Sequence, residues 1–125
     1  MADLELAFAS DPVAAGKQTA FVEGSLGIGE TTVELDLTGN VRPVAVVFEA
    51  GFTGASITVS VTVPWVGGDA AVLIDSLAVT PVAGKVVPLP AANFHWPEKL
   101  LFTVNTGQAA AKNIGFFGWR ADNSI

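Results

Sequence analysis

Few residues in this chain of 125 could do chemistry. The one histidine, His95, stands in NFHWPEK beside Trp96 and Pro97. Nucleophilic catalysis of the triad type needs an imidazole together with a carboxylate and an activated serine. The G-x-S-x-G elbow that presents such a serine is missing. His95 reads as a loop residue resting on an aromatic ring. Glu34 and Asp36 are two apart in TTVELDL, and Asp69 and Asp75 border another apolar run; paired carboxylates are what glycoside hydrolysis uses. In a strand, however, residues i and i+2 share a face whatever the function, so a solvated face accounts for both pairs. GSLGIG (24–29) has the close glycines of a phosphate cradle but neither the lysine nor the helix that would follow, and reads as a β-turn. Without cysteine and with one histidine, zinc has no ligand set, and no loop of spaced Asp and Asn offers calcium one. The expectation is a non-enzymatic protein without cofactor or metal.

Trp65, Trp96 and Trp119 are the other residues with binding potential. Each falls near a strand end, where an indole closes a sandwich core, anchors a protein interface or offers a platform for a sugar ring. Core closure is the first reading and sugar stacking the last. Tyrosine, a frequent partner in paratopes, is absent from the chain.

The elements that must position these residues are strands. Thirteen glycines and seven prolines interrupt the chain every few residues, with β-branched residues between them. GASITVSVTVPW (54–65) alternates most regularly: Ile57, Val59, Val61 and Val63 on one side, Ser56, Thr58, Ser60 and Thr62 on the other. TTVELDL (31–37) puts Val33, Leu35 and Leu37 inward. VRPVAVVFEA (41–50) reads as buried on both sides, starting after Pro43 or lying at an edge there, because proline has no N–H to donate. AAVLID (70–75), LAVTPV (77–82), KVVPL (85–89), KLLFTVN (99–105) and NIGFFGWR (113–120) follow, and LELAFA (4–9) and TAFVEG (19–24) are weaker. Short helical turns are predicted around 90–94 and 108–112. Eight to ten short strands with regular turn signals define an all-β antiparallel sandwich or barrel. One domain is expected over 19–125, with 1–18 as an amino-terminal arm or edge strand.

Half of the residues are hydrophobic and only 14% are charged, against a usual ~25%. So little charge on so small a domain favours a subunit that spends its life packed against something. All of the net charge of −6 lies in residues 1–36, where seven acids face Lys17 alone. That third is either a solvated edge or an acidic surface suited to a basic partner. Six dispersed Lys and Arg argue against nucleic acid as a partner. No run nears the ~18 apolar residues of a membrane helix, and MADLELAFAS lacks the pattern of a signal peptide, so neither membrane nor secretion is expected.

Two long stretches, GETTVELDLTGNVRPVAVVFEAGFTGASITVSVTV (29–63) and LPAANFHWPEKLLFTVNTGQAAAKNIGFFGWR (89–120), resemble tailed-bacteriophage virion proteins. The first is similar to a "GxTxSxAxDL" strand leading into "RLVGIxMPAAWTxAxLTFQ". The second is similar to "LDPAxFAGLRYLKLRSG" followed by a Gln- and Ala-rich turn and a final strand. The resemblance implies a capsid decoration (cement) protein with a jelly-roll-like sandwich of about eight strands. It further implies a place on the outer capsid surface, the phage major capsid protein as partner, and a homo-oligomer, dimer or trimer. VPWVGGDAAV (63–72) and Phe94–Pro97 depart from the pattern at turns. Candidate interface residues are Leu4, Leu6, Phe8, Phe52, Trp65 and Trp96. The alternative function is a carbohydrate-binding module of a phage tail or head fibre.

Overall fold

The computed structural model describes residues 2–6, 19–37, 41–89 and 99–120. Its nine strands are β1 (Ala2–Leu6), β2 (Thr19–Leu26), β3 (Thr32–Leu37), β4 (Val41–Phe48), β5 (Ile57–Trp65), β6 (Gly68–Val79), β7 (Val86–Pro88), β8 (Lys99–Val104) and β9 (Lys112–Arg120). They form a five-stranded sheet, β1-β3-β8-β5-β6, and a four-stranded sheet, β2-β9-β4-β7. Leaving β1 aside, consecutive strands from β2 onward fall into two interleaved four-stranded orders, which is a jelly roll. β1 lies on the outer side of β3 and runs parallel to it.

Alternation builds the core. Val33 and Leu35 from β3, Leu100, Phe102 and Val104 from β8, and Ile57, Val59 and Val61 from β5 are buried in one layer. Val46, Phe48, Ile114 and Phe116 meet them from the other sheet. The Phe102 and Phe116 rings join the layers, with centroids 4.8 Å apart. Leu4 of β1 packs where a side chain on Gly24 of β2 would stand, so the first strand also bridges the two sheets.

Several expectations need correction. AAVLID (70–75) and the first three residues of LAVTPV (77–82) belong to one strand, β6, because pairing with β5 resumes after an interruption: Ser60 faces Leu73, whereas Thr58 faces Ala78. Ser60, expected on a hydroxyl exterior, is buried beside that irregularity, between Leu73 and Leu101 on the neighbouring strands. β4 is not buried on both sides: Val41, Pro43, Val46 and Phe48 are buried, while Arg42, Val44, Ala45 and Val47 are half-buried. It begins before Pro43, which is tolerated because β7 pairs only with Ala45, Val46 and Val47 and leaves that side of Pro43 open. The predicted helical turn at 108–112 is a bridge from Gln108 to Ile28 followed by the start of β9. The other, at 90–94, lies outside the described residues, as does most of the expected arm.

Candidate interaction surfaces

The outer face of the four-stranded sheet is built from residues that alternation turns away from the core. Cross-strand register aligns Phe21, Phe117, Ala45 and Pro88 in one row, and Glu23, Gly115, Val47 and Val86 in the next. Trp119 opposite Arg42 extends the face. Phe21 is 47% exposed and Trp119 45%. The Phe21 and Phe117 rings tilt against each other at 4.8 Å. Gly115 is what lets this face lie flat: a Cβ there would stand 2.6 Å from Phe21 Cζ and 2.9 Å from Val47 Cγ1. Phe21 therefore lies over bare backbone, as an aromatic does when it covers a strand glycine. A shallow open groove of about 230 Å³ runs from here to the sheet end, between Phe21, Val47, Glu23 and Glu49.

A second surface is the β5–β6 hairpin. Among the described residues β8 accompanies β5 as far as Val61, opposite Leu100, and Thr62–Trp65 pairs with β6. Trp65 is 60% exposed at its tip, beside a fully exposed Val66, and Val72 and Leu73 are exposed on the returning strand. Neither Trp65 nor Trp119 closes the core as expected; phenylalanines do. The indoles sit where β5 outruns the sandwich and on the outward phase of β9.

The third feature is acidic. Parallel pairing places Asp3 beside Glu34 and Glu5 beside Asp36, collecting four carboxylates at one edge of the five-stranded sheet. Lys99 answers two of them, 3.2 Å from Glu34 Oε1 and 3.7 Å from Asp36 Oδ1. Hydrogen bonding to Glu34 and attraction to both carboxylates hold the Lys99 ammonium above the ordinary 10.5. A raised lysine pKa stabilises the fold fully below 10.5 and ceases to do so as pH rises through the raised value. Lys99→Met is therefore expected to differ most from the parent near neutral pH, with the gap closing on alkaline titration above about 10.5, as read by denaturant midpoints.

Opposite the hairpin tip, polar side chains lock three loops together. The buried Gln108 amide donates to Thr53 O at 2.7 Å and accepts from Thr53 N–H at 2.9 Å, while Gln108 O accepts from Gly29 N–H. Asn105 Oδ1 accepts from the N–H groups of Ala55 and Ser56. GSLGIG is strand up to Leu26 and then a turn, in which Glu30 N–H reaches Gly27 O. Among the described residues no three His, Asp or Glu side chains gather as for a metal.

The four candidate interface residues that are described do not share one surface. Phe52 is buried, its ring 4.8 Å from that of Phe48. Leu4 is half-buried against the core and Leu6 pairs with Leu37. Trp65 stands at the hairpin tip, and Phe8 and Trp96 lie outside the described residues, as does His95. Phe21, Phe117 and Trp119 form the apolar face instead. Their i, i+2 phase in TAFVEG and NIGFFGWR was readable, but which phase faces outward was not.

A jelly roll with exposed apolar surfaces is the class that fold and site define. No family model matches the chain, and no curated protein is similar to it. Among solved structures it is similar to the Drosophila NLP core, whose structure is described as giving insight into pentamer formation and histone binding. Identity is 15%, coverage 78% of this chain and 96% of that one, and the TM-score 0.38. It is also similar to vicilin from Capsicum annuum, at 16% identity, 84% of this chain, 24% of that chain and a TM-score of 0.37.

Proposed function

We propose that this chain is a structural subunit that works by surface complementarity, decorating a tailed-phage capsid and bridging its major capsid subunits as a homo-oligomer. The observation that carries the reading is the Phe21–Phe117–Trp119 face, three exposed aromatic side chains on one face of the four-stranded sheet. The resemblance over residues 29–63 and 89–120 supplies the capsid as partner. Such a role needs no reacting group. A ligand that binds only the assembled shell stabilises it by mass action, by about 2.7 kcal/mol per site at a hundred times its Kd.

Co-sedimentation with capsids purified from the phage that encodes the chain tests this. The parent should bind and raise the capsid melting temperature. Phe21→Ser with Trp119→Ser should weaken binding by roughly 30-fold or more, the scale of a lost aromatic hot spot, while the isolated subunit keeps its fold. Absence of parent binding defeats the reading. The exposure of Trp65 and Trp119 favours carbohydrate binding as the second reading; saturable, sugar-dependent quenching of tryptophan fluorescence in the free subunit would support that instead.

A further inference from the structure

Among the described strands the four sheet edges are unequally protected. An edge strand offers unpaired N–H and C=O groups, and proteins blunt it with short length, charge, proline or bulges. β7 has three residues and Pro88, β1 has five residues with Asp3 and Glu5, and β2 carries Glu23. β6 has twelve residues, and its stretch 68–73 contains no proline or lysine and one charge, Asp69. The irregularity against β5 starts only beyond Leu73. All side chains from 68 to 73 are exposed on both faces of the hairpin. Among the described residues nothing else pairs with this hairpin beyond Val61, and a two-stranded hairpin by itself is marginal in water.

We propose that β6 pairs antiparallel with β6 of a second copy of this chain through residues 68–73, around a two-fold axis at Ala71. Residues directly opposite in antiparallel strands share a face, so a two-fold axis normal to the sheet must pass through a residue position. At Ala71 it sets Ala70 against Val72 and Asp69 against Leu73, keeping the lone charge away from its own copy. The apolar side of the hairpin, Val63, Trp65, Ala70 and Val72, then continues across four strands instead of two.

Charge favours this edge over the others. The carboxylates of β1 and β3 lie at the far side of the same sheet, beyond β8 and β5. In the joined ten-stranded sheet the two β3 strands stand seven spacings, about 34 Å, apart, since neighbouring strands are ~4.8 Å apart. That is several times the ~8 Å Debye length of physiological salt, so the net charge of −6 hardly opposes pairing. Pairing at the β1 edge would instead bring the acidic rows together.

The inference concerns the free chain and holds whether or not it binds a capsid. Sedimentation equilibrium of the full chain over a wide micromolar range should show a reversible dimer of twice 12.8 kDa. Ala71→Lys places two ammonium groups opposite each other on the axis and should shift the dimer constant at least tenfold toward monomer, with an unchanged circular dichroism spectrum. An equimolar mixture of Ala71→Lys and Ala71→Glu should restore a dimer, as a 1:1 heterodimer. A parent that stays monomeric, a dimer indifferent to Ala71→Lys, a mixture that fails to re-associate or a closed trimer would each overturn the proposal. None of these results bears on capsid co-sedimentation.

Discussion

Replacing Phe116 with alanine is expected to destabilise the protein by about 3–5 kcal/mol and lower Tm by roughly 10–20 °C. Phe116 is fully buried, projecting from β9 at the middle of one sheet, and its ring meets Phe102 of β8 in the other. Truncation removes apolar area from the core and leaves a cavity lined by strands that hydrogen bonding holds in place, so little collapse can relieve it. The neighbouring residue is the control. Phe117 points outward beside Phe21, and Phe117→Ala should cost under about 1 kcal/mol while weakening docking. Equal destabilisation by both variants in thermal or denaturant unfolding would refute the assignment of faces.

The second large effect is expected at Gln108. Gln108→Ala should cost about 2–3 kcal/mol, the sum of two hydrogen bonds and lost packing of a buried side chain. Its amide imitates a strand partner for Thr53, accepting from that residue's N–H and donating to its C=O. Without it, the loop between β4 and β5 keeps only the Asn105 contacts to Ala55 and Ser56 as described side-chain ties to the loop between β8 and β9, and Thr53 itself is released. Amide exchange at Thr53 should accelerate by more than tenfold, whereas exchange at Val59 or Phe102 in the core follows only the global loss. Gln108→Asn, one methylene short of Thr53, should recover little of the stability.

Much of the fold was legible because strand periodicity is local. Ile57, Val59 and Val61 are inward as their spacing implies, and so are Val33 and Leu35, with Glu34 and Asp36 outward. Periodicity marks two phases without saying how deeply each is covered. Ser60 is on the hydroxyl phase and is nevertheless buried, between Leu101 of β8 and the start of the β6 irregularity. Trp65 is on the core phase and is nevertheless exposed, because β8 stops at Val61 and nothing described continues beneath the hairpin. Gln108 gave no local signal, since its partner Thr53 is 55 residues away.

The amino-acid sequence by itself determined the class of the fold, the identity of most core positions, the scarcity of reactive groups and the acidic bias of the first 36 residues. These are properties of composition and of a period of two, which a chain carries wherever it folds. Tertiary structure decided which surfaces are available to a partner. Cross-strand register gathered Phe21, Phe117 and Trp119 from distant segments onto one face and placed Asp3 and Glu5 against Glu34 and Asp36. Among the described residues, β5 and β6 run on past the pairing with β8 and leave the end of their hairpin exposed. Register and strand ends are set by pairing between segments far apart in the chain, so no local pattern can encode them.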